Sequence, residues 1–327
     1  MIYIQIEKAA EILKQGGIVA IPTETVYGLA GNALSETAVA KIFAAKERPF
    51  FDPLIVHIAE FGELENLAAE IPKNAKLLAE KFWPGPLTLV LPKRERVPDL
   101  TTGGLSTVAV RMPKKQITRD LIKLAGFPLA APSANMFQHL SPTSAEHVAE
   151  QLSGRIDGIV DGGACEIGIE STVVGFENDI PMIYRPGAAT YEMIAGTLIE
   201  NGELRMENNS QFSILNSQLG TNVGNASPGM LKKHYSPNTS LCLELPSSVP
   251  PNSGLLAFGE LPANANGFAK VLNLSENANP TEAAANLYGM LHELDSCGLD
   301  RIFAALLPEA GLGNAINDRL LKARGIA

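Results

Sequence analysis

Two cations one residue apart, Lys46 and Arg48, head the stretch KERPFFDPLIVH (46–57). Pro49, two phenylalanines, Asp52 and Pro53 follow, and an apolar run closes on His57. A lysine and a guanidinium placed together can hold an anion, the guanidinium as a planar fork that matches phosphate or carboxylate through two bonds. Other polar clusters interrupt the apolar runs in the same way. PTETVYGL (22–29) packs Thr23, Glu24 and Thr25 beside a proline, and STVAVR (106–111) ends an apolar strand on Arg111. APSANMFQHLSPT (131–143) sets Ser133 and Asn135 between prolines, IESTVV (169–174) carries Ser171, and YRPG (184–187) carries Arg185. These are hydroxyls and amides that orient, and cations that neutralise, with no activated nucleophile among them. Phosphoryl or nucleotidyl transfer needs mainly positioning and charge neutralisation. There is no G-x-S-x-G, no Walker loop, no G-x-G-x-x-G after a strand and no Cys/His metal spacing.

Each position also has a plainer explanation. Thr23 and Thr25 fit as ordinary strand residues, and Lys46 near a helix end complements the dipole. Arg111 fits as a strand-end surface cation, and Ser133 and Asn135 as turn residues bonding their own backbone. A lone histidine such as His57 is more often a satisfied core residue than a catalyst. His139, His147 and His292 read as surface or loop residues. Taken together, the clusters weigh more than any one of them.

The elements that must carry these residues alternate between helical and strand patterns over roughly the first 200 positions. GGIVAIPT, PLIVHI, LTLVL, TVAVRM, PLAAPSA, IDGIVDGG and STVVGF are short apolar runs bounded by Pro, Gly or charge, and read as strands. SETAVAKIFAAK (35–46) is a helix with Ser35 as its N-cap. KNAKLLAEKF and KQITRDLIKLAG are further helical patterns. The expected fold is α/β with a mixed sheet. From 203 to 238 the texture turns Asn-, Ser- and Gly-rich, the pattern of a linker. Beyond it SLCLEL, GLLAFGE, AKVLNL and RIFAALL read as strands. NPTEAAANLYGMLHELDSCG reads as a helix capped by Asn279, and GNAINDRLLKARG as a closing helix. The expected division is a first domain over 1–202, a linker over 203–238 and a smaller Rossmann-like α/β domain over 239–327.

Composition narrows the function. The net charge of −9 speaks against a broad nucleic-acid footprint, while leaving room for cations gathered in one cleft. No apolar stretch is long enough to span a bilayer, and MIYIQIEKAAEILKQGG lacks the apolar core of a signal peptide. Three scattered cysteines fit reduced thiols, so a cytoplasmic location and no membrane partner are expected.

In chain order, PTETVYGL, AKERP..DPLIVHI, FWPGPLTLVL, TVAVRMP, AAPSAN, SPTSAEHV, DGG...GIESTVV and YRPG resemble the YrdC-type domain of the threonylcarbamoyl-adenylate synthases. SPGMLKKHYSP (227–237) and the tail resemble the family's long form, so the likeness spans nearly the whole chain. The resemblance implies a twisted, open mixed sheet with a large concave cavity. It implies synthesis of threonylcarbamoyl-AMP and pyrophosphate from L-threonine, bicarbonate or CO2 and ATP, with Mg2+, for threonylcarbamoylation of the adenosine beside the anticodon in tRNA. It places Lys46, Arg48, Ser133 and Asn135 as the catalytic set. Thr25, His57, Arg111, Ala131 and Ser171 match threonine-binding positions, Arg111 as the partner of the substrate carboxylate. Arg48, Asp52, Thr107, Ser133, Ser141, Arg185 and His234 match ATP-binding positions; metal ligands are not assigned. Asp52 stands where many members have Asn, and Lys233 where an arginine fork is expected. A downstream tRNA-modifying transferase is the implied partner, and direct contact with tRNA is left open. SPGMLKKHYSP reads as a lid held by the second domain, and Lys46 and Arg48 as site cations whose removal leaves the fold intact. The competing reading is a double-stranded RNA-binding module assisting tRNA or ribosome maturation.

Overall fold

The computed structural model describes residues 3–202 and 233–324. Most of the linker, and with it the lid reading of 227–232, lies outside the described residues.

The first sheet has nine strands: β1 (Val19–Ile21), β2 (Gly28–Asn32), β3 (Ile55–His57), β4 (Leu87–Pro92), β5 (Thr107–Arg111), β6 (Leu129–Ala130), β7 (Gly158–Ile159), β8 (Thr172–Glu177) and β9 (Ile180–Arg185). Their order is β7-β1-β2-β6-β3-β5-β4-β8-β9. Three pairs are parallel (β1/β7, β3/β5, β4/β8) and the other five antiparallel, so the sheet is mixed, as expected. Two strands, β2 and β9, were not among the expected runs. GLAGN holds two glycines and lacks β-branched residues, while in IPMIYR Pro181 interrupts the β-formers Ile180, Ile183 and Tyr184, as an edge strand tolerates.

Strand alternation sorts the side chains onto two faces. Leu29, Val56, Leu89, Val110 and Val174 point to one face. There they meet the apolar sides of α2 (Glu36–Lys46), α3 (Lys73–Phe82), α6 (Ala145–Leu152) and α7 (Tyr191–Glu200). On the opposite face, among the described residues, α1 (Ile6–Lys14) and α5 (Gln116–Ala125) cover the β1–β2–β6 half. The other half of that face carries Ile55, Val90, Ala109 and Val173, alternating in register with His57, Thr88 and Arg111. No described helix covers this half of the sheet, and it becomes the site. A bulge completes it: between Val173 and Val174 the register with β9 shifts by one residue, which turns Arg185 onto the face that bears Val173.

The second sheet is parallel, in the order β10-β13-β11-β12, from β10 (Ser240–Cys242), β11 (Ser253–Ala257), β12 (Lys270–Asn273) and β13 (Arg301–Ala304). The helix α8 (Pro280–Ser296) starts as expected, with Pro280 at its first position and the Asn279 side chain accepting from the Thr281 and Glu282 amides. Together with α9 (Leu312–Arg324) it forms a layer between this sheet and the first domain, where Leu287, Tyr288, Leu291 and Leu320 enclose Val26, Leu140 and Ile169. Gly168, at φ +77°, permits the approach: a Cβ there would meet the Ala284 carbonyl at 2.4 Å.

The same seam corrects the reading of two histidines. His147 on α6 and His292 on α8 are not loop residues; their rings stack across the domain junction at 4.0 Å. Burial lowers both pKa values, His292 to about 4, with His147 adding to the effect. The unfolded chain takes up the His292 proton near pH 6.5, while the folded seam resists it until about pH 4. The stabilisation is therefore full above pH 6.5 and is lost as the pH falls through that window. Melts at pH 7.5 and pH 5 should show the loss, at up to about 1.4 kcal/mol per pH unit for His292, and His292→Phe should flatten the dependence. Parallel pH dependences in parent and variant would contradict this role.

Candidate active site

Five segments close around the uncovered half of the sheet and leave a cleft of about 550 Å3, counting the part open to solvent. The first is the turn after β1. Thr23 Oγ1 donates to the Val26 carbonyl at 2.6 Å and accepts from the Thr25 and Val26 amides, folding PTETV back on itself. That turn points Thr25 and Glu24 at the end of β5. Arg111 Nη1 donates to Thr25 Oγ1 at 2.8 Å, Nη2 to Glu24 Oε1 at 2.6 Å and Nε to the Gly85 carbonyl at 3.2 Å. The guanidinium is thus fixed on three sides, with one N–H on each terminal nitrogen left for an incoming anion.

The second segment follows α2. Ser35 caps its start, and Glu47, in the left-handed region at φ 55°, ends it. The turn sends Lys46 and Arg48 to different jobs. Lys46 Nζ is buried behind the cleft and donates to the Ser133 carbonyl at 2.5 Å, the Asn135 carbonyl at 2.6 Å and Asn135 Oδ1 at 3.3 Å. Burial, then the nearby Arg48, push its pKa well below the usual lysine range. Three acceptors for three N–H groups nevertheless match an ammonium, and a neutral amine would leave one unanswered. Arg48 reaches the cleft itself. Its Nε donates to the Asp52 carbonyl at 3.2 Å and Nη2 to the Pro53 carbonyl at 2.9 Å. Nη1 has no hydrogen-bond partner among the described residues. Asp52 Oδ2 lies 2.9 Å from Arg48 Nη2, close enough for an ion pair, yet neither Asp52 oxygen accepts an aligned hydrogen bond from a described residue. Its attraction is coulombic, and burial outweighs it and raises the Asp52 pKa.

The third segment, 131–135, is pinned by Lys46 from behind and by the Ala131 amide on the Ile55 carbonyl. The fourth brings Ser171, whose hydroxyl meets Thr88 Oγ1 at 2.8 Å, and Arg185, whose Nη2 donates to the Ser171 carbonyl at 2.9 Å. Gly187 lets this crossing form, since a Cβ there would lie 2.5 Å from the Glu170 carbonyl. The fifth comes from the chain re-entering after 232. His234 and Tyr235 line the cleft, and the His234 amide donates to the Lys322 carbonyl on α9 at 3.2 Å. Burial keeps both cleft histidines neutral. His57 is lowered to about 3, with Arg111 adding to the effect, and its Nδ1 donates to the Ile55 carbonyl at 3.2 Å. His234 is lowered well below its usual value, Glu170 opposing and Arg48 assisting.

Of the residues singled out in the sequence, Thr25, Arg48, His57, Arg111, Ala131, Ser133, Ser171, Arg185 and His234 line this one cleft. Lys46, Asn135, Asp52 and Ser141 stand behind its wall, each bonded or paired to a lining residue or its loop. Thr107 is apart: it opens β5, four residues from Arg111, or about 13 Å along the strand. Sequence reasoning gave no site role to the counter-charges Glu24 and Glu170, to Tyr235, or to the Thr88 hydroxyl. Glu24 and Glu170 are flanked by motif residues in TET and IES, which is the signal that could have found them.

The arrangement is a cationic cleft on a mixed α/β sheet, in which the Thr25 and Ser171 hydroxyls are oriented beside the Arg111 and Arg185 guanidinium groups. That defines a class: an enzyme handling anionic, nucleotide-sized substrates without a covalent nucleophile. The comparisons resolve the class. A family model described as "Telomere recombination" matches residues 11–187, and one described as "Threonylcarbamoyl-AMP synthase, C-terminal domain" matches residues 189–325. The threonylcarbamoyl-AMP synthase of Pyrococcus abyssi is 43% identical over 338 residues, covering 98% of this chain and 94% of that protein. That of Bacillus subtilis is 42% identical, covering 98% and 93%. A crystal structure of P. abyssi Sua5 complexed with L-threonine superposes with a TM-score of 0.85 at 42% identity, covering 98% of this chain and 94% of that one. The chain belongs to the threonylcarbamoyl-AMP synthase family, in its two-domain form. The RNA-binding alternative gives way to an enzyme. Among the described residues no helix is long and apolar enough to cross a membrane.

Proposed function

We propose that this cleft joins L-threonine, bicarbonate or CO2 and ATP into threonylcarbamoyl-AMP, with threonine on the Thr25–Arg111–Ser171 side and ATP on the Arg48–Ser133–Arg185–His234 side. The observation that carries the reading is the convergence of Arg48, Arg111 and Arg185 on one cleft, where the described partners of the Thr25 and Ser171 hydroxyls are other hydroxyls and guanidinium groups. The bound L-threonine of the P. abyssi relative supports the first half of the assignment. The threonine amine adds to CO2, or to bicarbonate with loss of water, and gives a carbamate. A carbamate oxygen then bonds to the α-phosphorus as the bond to the β-phosphate oxygen breaks, and pyrophosphate departs. The amine proton leaves with the bicarbonate-derived hydroxyl or to solvent. Arg48 and Arg185 stabilise the charge gathering on the phosphates, as fixed donors that need no reorganisation. Among the described residues no group of three or more His, Cys, Asp and Glu could hold a metal ion. Glu24, Asp52 and Glu170 already face Arg111, Arg48 and Arg319. Mg2+ bound with the triphosphate would help neutralise its charge. The product, a mixed anhydride, would pass to a transferase acting on tRNA.

Substrate choice tests the hydroxyl wall. Serine should be used less well than threonine, since one methyl is worth about 1–3 kcal/mol. Valine should be worse than serine, because it sets a methyl among polar groups such as Thr25 and Ser171 where the threonine hydroxyl would hydrogen-bond. Threonine-dependent pyrophosphate release with each amino acid measures this, and equal turnover of valine would remove the hydroxyl argument.

A further inference from the structure

Glu170 presents a difficulty for a cleft that must accept a triphosphate, because its carboxylate is buried in the lining and repels phosphate if left bare. It is not left bare. Arg319 Nε, on α9, donates to Glu170 Oε2 at 2.7 Å, and the Tyr288 hydroxyl, on α8, reaches both oxygens at 3.1 Å. Ser141 Oγ donates to Oε1 at 2.5 Å from the first domain. Most of the neutralising shell thus comes from the second domain. Arg319 is itself held. Nη1 pairs with Asp318 at 2.5 Å, Nη2 donates to the Pro186 carbonyl at 2.9 Å, and Cζ stands 5.0 Å over the Tyr235 ring. It is about 1% exposed, so this is a built contact and not a surface pair.

We infer that Arg319 is a positioning residue for ATP: the second domain reaches into the junction with a guanidinium that cancels the Glu170 charge and keeps the nucleotide side of the cleft cationic. This rests on the synthase reading for the identity of the nucleotide. It goes beyond that reading in giving the second domain an electrostatic part in the site. Burial alone would raise Glu170, but Arg319, Arg185 and the Ser141 hydroxyl overcome it and hold the carboxyl down at about 2. The charge that must be cancelled is therefore a full one at neutral pH.

The test uses the full chain and a non-hydrolysable ATP analogue, with binding followed by calorimetry. Arg319→Gln should weaken the analogue by at least about tenfold, with L-threonine binding held within about threefold of the parent. Adding Glu170→Gln should restore nucleotide binding, because the unanswered charge is gone although the Arg319 contacts to Pro186 and Tyr235 remain lost. Arg319→Lys, which keeps the charge, should lie nearer the parent than Arg319→Gln. If Arg319→Gln does not fold, the double variant carries the test, and strong nucleotide binding by the folded double variant is expected. Weak binding by the double variant, or an equal loss for threonine and nucleotide, would overturn the inference and leave Arg319 as domain packing. A parent chain that binds the analogue but makes no threonylcarbamoyl-AMP would count against the synthase reading alone.

Discussion

Arg48→Ala, made together with Asp52→Asn, should fold and yet form threonylcarbamoyl-AMP at about a hundredth of the parent rate or less. Two of the three guanidinium nitrogens are spent on the Asp52 and Pro53 carbonyls, which fixes the plane of the group. The third nitrogen, Nη1, is without a partner among the described residues and belongs to a side chain that lines the cleft. A donor fixed in this way costs no reorganisation when charge develops on a phosphate, and losing one costs about 2.7–4 kcal/mol of barrier. The Asp52 change removes a carboxylate that would otherwise lose its ion pair. Arg48→Lys should recover only part of the activity, since an ammonium cannot hold the loop carbonyls and present a fork at once. Pyrophosphate release at saturating substrates checks this, and near-parental turnover in the alanine variant would remove Arg48 from the mechanism.

Lys46→Met should do something different: unfold the site before it slows the chemistry. In the sequence Lys46 reads as a site cation whose loss leaves the fold intact. The structure instead buries it and gives its three N–H groups to two carbonyls and an amide oxygen of the 133–135 loop. Methionine fills the space but leaves those acceptors unanswered, at about 1–3 kcal/mol for each one that water cannot reach. The expected result is a loss of several kcal/mol in chemical denaturation (about 2–5) together with loss of activity. Low activity with unchanged stability would return Lys46 to a direct role on the substrate.

The contrast between these two residues shows how far the sequence could be read. K-E-R places both cations correctly in the chain, and the resemblance places both in one site. What it could not show is that the left-handed turn at Glu47 sends one behind the wall and the other into the cleft. Helices with a clear cap, such as α2 and α8, stand where the sequence puts them, and so does the periodic α3. The strand β2 was illegible because glycines stand where β-branched residues would, and β9 because Pro181 breaks a run that still holds Ile180, Ile183 and Tyr184. The aim of Arg185 depends on a bulge that only pairing with β8 creates. Counter-charges were the other blind spot. Glu24 meets a partner 87 residues away and Glu170 one 149 away, so neither pair leaves a local pattern. His147 and His292 looked like loop histidines for the same reason, each being half of a contact between domains.

The central claim is that one cleft couples an amino acid, a one-carbon unit and ATP. It is tested most directly by incubating the full chain with ATP, Mg2+, L-threonine and isotopically labelled bicarbonate, and resolving the nucleotides by mass. The account predicts an adenylate that carries both the threonine and the labelled carbon. It should form together with pyrophosphate, and only when all three substrates are present. Pyrophosphate released at the same rate without threonine, or an adenylate lacking the labelled carbon, would contradict it.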